Sequence, residues 1–225
     1  MSRVQDHFNV EAARYDMWKQ RNAYYYSAIK NLYREKIPAI SSVLEIGCGT
    51  GDILAEVQPR RGVGIDISPA MIERARQKYP NLTWYPLTVS ELPTVLQEQF
   101  DVIFLSDVIE HLEDVEGTLR DIRKFCHQDT CLIINMANPL WEPLLMLLEK
   151  LHLKMPEGPH TRISVRTLTR IAEENGFSLT QRSKRLLFPM DIPLISTLMQ
   201  LLERLPILRP LCLIEVLEYR LRTVS

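Results

Sequence analysis

Between Val43 and Asp52 the chain reads Val-Leu-Glu-Ile-Gly-Cys-Gly-Thr-Gly-Asp, an apolar run that breaks into alternating glycines and then into a helical pattern. Five of the eight glycines (Gly47, Gly49, Gly51, Gly62, Gly64) fall between positions 47 and 64, so the chain concentrates its unusual backbone in one place. A buried strand, a glycine turn and a helix N-terminus together let the main chain approach a ligand closely and offer it free N–H donors. A second apolar run ends in Gly64-Ile65-Asp66, about 20 residues beyond the first, where a carboxylate can accept hydrogen bonds from a ribose diol.

That acid is shared by dinucleotide-binding proteins, but the glycine spacing separates the cases. A pyrophosphate cradle calls for G-x-G-x-x-G, whereas here the third glycine comes early, as Gly51, and Asp52 takes its place. Glu45, two residues before the first glycine, would repel phosphates, so the spacing and the charge suit a ligand without them.

The rest of the chain sets the frame. Short apolar runs alternate with helical patterns: strands at Val43–Gly47, Gly62–Ile67, Leu82–Tyr85, Asp101–Leu105 and Cys131–Asn135, with helices near Asp52–Val57, from Pro69 to Tyr79 behind an N-cap at Ser68, and along the stripe Val115, Leu119, Ile122 and Phe125. This rhythm implies parallel strands joined by right-handed crossovers, a doubly wound α/β sheet. A helix around Trp141–Leu151, a loop from Lys154 to Thr161 and a helix capped by Ser164 and ended by Asn175-Gly176 follow. Ser178–Leu187 and Leu211–Arg220 read as an antiparallel pair closing the sheet. Upstream, Glu11–Arg21 and an aromatic helix from Asn22 to Pro38 read as helical.

With 27 Lys and Arg against 28 Asp and Glu, the net charge is -1 and there is no basic surplus for a nucleic-acid backbone. The four cysteines (Cys48, Cys126, Cys131, Cys212) form no CxxC pair, which argues against a zinc ribbon and for reduced thiols in a cytosolic protein. Asp6, His7 and Asn9 interrupt the run a signal peptide would need.

Three segments, Val43–Asp52 (VLEIGCGTGD), Val63–Met71 (VGIDISPAM) and Phe100–Leu112 (FDVIFLSDVIEHL), stand in the order and spacing of the class I S-adenosylmethionine-dependent methyltransferases. The chain resembles in particular their small-molecule branch, including the ubiquinone-pathway O-methyltransferases. The resemblance implies a Rossmann-like methyltransferase fold with an antiparallel C-terminal strand and an N-terminal helical lid. It implies S-adenosyl-L-methionine as cofactor, held by Glu45, Gly47, Cys48, Gly49, Gly51, Asp66, Ile67, Met71, Thr88, Val89, Ser106 and Asp107. Asp66 would take the ribose hydroxyls, Ile67 and Met71 would border the adenine, and Ser106 with Asp107 would line the methionine end. Thr88-Val89 stands where the family often has Asp-Ala for the adenine amino group.

Methyl transfer needs alignment, exclusion of water and, for a hydroxyl acceptor, a base. His111 is the candidate base, and His160 and Arg162 are candidate substrate contacts; no metal site is expected. Tyr15, Trp18, Tyr24, Tyr25 and Tyr26 read either as a lid over the cofactor or as core. The organisation expected is 1–40 as lid, 41–188 as cofactor-binding core, 189–210 as an apolar helical insertion and 211–225 as closing strand and tail. The expected activity is methyl transfer to oxygen of a small-molecule, lipid-linked or sugar-linked acceptor, with a catalytically silent cofactor-binding module as the alternative. Residues 192–205 (IPLISTLMQLLERL) either cover the acceptor pocket or rest on a membrane interface.

Overall fold

The computed structural model describes residues 2–189, 202, 205 and 207–222. The apolar stretch 192–205, apart from residues 202 and 205, lies outside them. Three helices, α1 (Arg3–Glu11), α2 (Tyr15–Arg21) and α3 (Ala23–Lys36), precede a seven-stranded sheet. The sheet comprises β1 (Ser42–Ile46), β2 (Arg61–Ile65), β3 (Thr83–Tyr85), β4 (Phe100–Ser106), β5 (Cys126–Ala137), β6 (Phe177–Arg185) and β7 (Ile214–Leu221), in the order β3-β2-β1-β4-β5-β7-β6. The first five strands are parallel; β7 inserts antiparallel between β5 and β6.

The crossover helices are α4 (Asp52–Val57), α5 (Pro69–Lys78) and α6 (Val115–Ile122), followed by α7 (Glu142–Lys150) and α8 (Val165–Glu174). Side-chain caps begin several of them. Ser68 accepts from the Met71 N–H with Pro69 at the first helical position, and Ser164 accepts from the Thr167 N–H at 3.0 Å.

All five residues of β1 are buried, as a central parallel strand covered on both faces requires. Leu44, Ile46, Ile103 and Leu105 pack on one side of the sheet, while Val43, Val102, Phe104 and Ile133 pack on the other. The stripe Leu119, Ile122 and Phe125 is buried as its spacing predicts, although Phe125 lies in a 3-10 turn that tightens the end of α6.

β5 is longer than its apolar run, because Cys126–Thr130 extends along β4 past an irregularity opposite Phe100–Val102. The helical lead-in is two helices rather than one, broken between Glu11 and Tyr15.

Strand register decides where the site lies. Ile46 pairs with Ile65 on one side and Leu105 on the other, and Leu105 pairs with Ile134. The next residues, Gly47, Asp66, Ser106 and Asn135, therefore stand side by side at the sheet's carboxyl edge. The strand order reverses between β1 and β4, the crevice where open α/β sheets bind ligands. Tyr33 ties α3 to this edge: its ring is fully buried on Phe104, and its hydroxyl reaches the Asn135 side-chain oxygen and the Leu105 carbonyl.

Replacing Tyr33 by Phe leaves the Asn135 oxygen without this donor. The expected result is a loss of about 1–2 kcal/mol in urea unfolding, with the slope unchanged.

Candidate active site

The turn after β1 takes the left-handed backbone its glycines permit. Gly47 has φ +71 and Gly49 φ +52. A Cβ at Gly47 would lie 2.4 Å from Val108 Cγ2, and one at Gly49 3.1 Å from Tyr15 Cε1. The loop after β4 and the N-terminal helices thus close on the turn from opposite sides.

Asp66 fixes the second wall. Its Oδ2 accepts from the Gly49 N–H at 2.9 Å and its Oδ1 from the Ser68 N–H at 2.8 Å. Each oxygen keeps a lone pair, so the carboxylate can accept two further donors. Burial raises its pKa against the pull of those two hydrogen bonds.

Glu45 and Cys48 are buried at the turn, and each has a local structural contact. Glu45 is 1% exposed; its carboxylate accepts from the Leu54 N–H at 3.2 Å, bracing the start of α4. Burial holds the Glu45 carboxyl well above the usual range, and pushes the Cys48 thiol up as well. Met71 is in the core, and the Ile67 carbonyl accepts from Gln5 of α1 at 2.7 Å. Thr88 is exposed and gives its hydroxyl to Glu91, while Val89 is buried in the core.

Asp107 follows Ser106 with φ +53, a left-handed conformation that is costly outside glycine. Two donors from distant elements hold it: the Tyr25 hydroxyl at 2.7 Å and the Asn135 amide at 2.9 Å. Burial nevertheless raises its pKa to about 6. Glu110, in the same loop, is raised to about 7 by burial and by the Asp107 charge.

His111 Nδ1 lies 3.0 Å from the Pro159 carbonyl. A carbonyl can only accept, so Nδ1 carries the proton and Nε2 the lone pair. Burial lowers the His111 pKa, keeping the ring neutral near pH 7. Phe8 of α1 meets the ring edge-on at 5.3 Å, and His160 stands 6.2 Å away on its other flank. His160 Nδ1 faces the Gly158 carbonyl, whereas Arg162 is exposed and bonds Glu142. Among the described residues Glu142, Glu157 and His160 bring one ligand atom each within 4.8 Å of one another; Arg162 pairs with Glu142 and Lys154 with Glu157.

The aromatic lead-in divides between the two readings of it. Trp18 is core, 6% exposed, while Tyr15 and Tyr25 face the site. What the sequence does not reveal is how this cover is fastened. Lys19 of α2 bonds Asp52 at 2.8 Å; Lys78 of α5 bonds Asp52 at 2.6 Å and Asp16 at 2.9 Å; Thr50 donates to Asp16 at 2.9 Å. Ser68 also donates to Asn9 of α1 at 2.7 Å. These lysines and Tyr79 hold the Asp52 carboxyl far below its usual range despite its burial.

A family model described as a methyltransferase domain matches residues 17–182. A ubiquinone biosynthesis O-methyltransferase of Aeromonas salmonicida is 29% identical over 154 residues, 63% of this chain and 64% of that protein. The chain thus spans less than two thirds of the length of the curated relatives first matched. Among solved structures, an S-adenosylmethionine-dependent methyltransferase of Thermotoga maritima superposes with TM-score 0.72 at 17% identity, covering 96% of this chain and 99% of that one. An N-methyltransferase of Bradyrhizobium japonicum in complex with S-adenosylhomocysteine gives TM-score 0.59 at 16% identity, over 99% of this chain and 100% of that one.

Because the folded pKa of Asp52 is depressed, its hold on α2 and α5 is complete above the unfolded value near 4 and is lost only as pH falls toward the depressed one. Amide exchange across residues 3–21 should stay protected at pH 5, and Asp52→Asn should speed it by about tenfold at pH 7.

Proposed function

The chain belongs to the methyltransferase-domain family, and from that premise we propose that it binds S-adenosylmethionine against the glycine turn and transfers the methyl group to a hydroxyl of a small-molecule acceptor. The observation that carries this reading is the Asp66 carboxylate, anchored by two backbone N–H groups with lone pairs to spare at the carboxyl end of β2. That arrangement fits a ribose diol, and the close approach of Tyr15 and Val108 to the glycines fits a ligand lying flat on main chain.

When bound, S-adenosylmethionine supplies an electrophilic methyl group on a sulfonium. The protein's own part is positioning and proton handling. Asp107 stands at the end of β4, held by Tyr25 and Asn135 and aligned for the methionine end. His111 Nε2, unprotonated because Nδ1 faces the Pro159 carbonyl, takes the hydroxyl proton. Helices α1–α3, bound through Gln5, Asn9, Lys19 and Tyr25, keep water from the reacting groups. His160 and Arg162 line the acceptor side, where the loop before α8 meets α7. No helix among the described residues is long and apolar enough to cross a membrane.

Asp66→Ala should weaken S-adenosylmethionine binding by about 2 kcal/mol in titration calorimetry, since the diol loses its charged acceptor; unchanged affinity contradicts the assignment. His111→Ala should lower kcat by about 100-fold with cofactor affinity preserved. As the neutral form is the base and its pKa is depressed, the acid limb of the wild-type pH–rate profile should fall below pH about 6.5.

A further inference from the structure

We propose that Glu110 selects the methyl acceptor by holding a protonated amino group on it, a few bonds from the hydroxyl that faces His111; this rests on the reading of the site just given.

Glu110 Oε2 is sealed from solvent and has no hydrogen-bond partner among the described residues. Its backbone is fixed on both sides. The Glu110 carbonyl accepts from the Thr161 N–H at 2.6 Å, and the His111 N–H closes the turn onto the Val108 carbonyl at 2.9 Å. The backbone of Glu110 is therefore held at the junction between the loop after β4 and the loop before α8.

The donors nearby already bond other acceptors, and none of them bonds Glu110 Oε2. Tyr25 gives its hydroxyl hydrogen to Asp107, Asn135 gives an amide hydrogen to the same carboxylate, and Lys154 pairs with Glu157. His111 Nδ1 is taken by Pro159 and His160 Nδ1 lies against Gly158. A buried carboxylate oxygen left this way is a place for a donor that arrives with a ligand.

The surrounding charge says which donor. Asp107 and Glu142 add negative charge around Glu110, and Lys154 is the opposing buried cation. Lys154 itself faces Glu149, Asp107, Glu142 and Glu110 and is bound by Glu157, while Arg162 is exposed on Glu142. The surroundings of Glu110 are therefore short of positive charge. An ammonium brings the missing charge and the missing N–H donor in one group, and an acceptor carrying a carboxylate would be repelled. Burial and the Asp107 charge favour the neutral acid of Glu110, and a bound ammonium would draw it back to the carboxylate.

The test uses three probes that share a catechol and differ only in side-chain charge: dopamine, 4-methylcatechol and 3,4-dihydroxyphenylacetate. Each is titrated into the full chain saturated with S-adenosylhomocysteine. The wild type should bind dopamine about tenfold more tightly than 4-methylcatechol and bind the carboxylate most weakly. In Glu110→Gln the preference for dopamine should fall to within about twofold while S-adenosylhomocysteine affinity is unchanged, a charge-selective loss that misfolding would not produce. No binding of dopamine, equal binding of the anion, or a preference kept in Glu110→Gln overturns the proposal. Failure of S-adenosylhomocysteine to bind the wild type overturns the cofactor reading instead, and the proposal with it.

Discussion

The two hydrogen bonds from the Gly49 and Ser68 N–H groups to Asp66 join the turn after β1 to the turn after β2. Most of the site is built outward from that junction. Parallel pairing sets Gly47 beside Asp66 because Ile46 is in register with Ile65, and the carboxylate then locks both turns. A carboxylate between two main-chain donors is a charge-assisted contact in a half-buried place, stiffer than a packed side chain alone would be. It orients the glycine turn toward the same edge from which Asp107 and Asn135 emerge.

Over that edge the N-terminal helices contribute polar contacts as much as packing. Tyr25 reaches Asp107, Gln5 reaches the Ile67 carbonyl and Lys19 reaches Asp52, so three helices are referenced to three different parts of the site. The Lys19–Asp52–Lys78 cluster is mostly shielded, with Asp52 and Lys19 little exposed, and so is less screened by salt than a surface pair. A cover fastened this way can be released by breaking a few charged contacts while the sheet stays intact. The strained backbone of Asp107 belongs to the same design, since its two donors come from a cover helix and from β5.

The sheet was legible because central parallel strands are near-continuous apolar runs, as Val102–Leu105 is and as Val43–Ile46 is apart from Glu45. The caps at Ser68 and Ser164 were legible because capping is local. The antiparallel closing pair was read from the alternation of Leu211–Arg220, and the structure has β7 as Ile214–Leu221. The glycine turn and Asp66 could be placed from spacing alone. Contacts between distant positions could not be: Lys19 and Asp52 lie 33 residues apart, Tyr25 and Asp107 82 apart, and no periodicity links them. Glu45 shows a further limit. An acid beside a glycine turn reads as a ligand contact, and nothing in the sequence says that its carboxylate also accepts from the Leu54 N–H of the helix that follows. Glu110 was hidden by His111 next to it, because an unpartnered oxygen is a property of packing and has no sequence pattern.

The proposed function turns on Asp66, anchored by Gly49 and Ser68, as the acceptor for the cofactor's ribose. A crystal structure of the chain with S-adenosylhomocysteine tests it most directly. Both ribose hydroxyls should lie on the Asp66 carboxylate, with the adenosine across Gly47–Gly51 and the amino acid end beside Asp107. Density for the ligand away from Asp66, or a ribose held by another side chain, would contradict it.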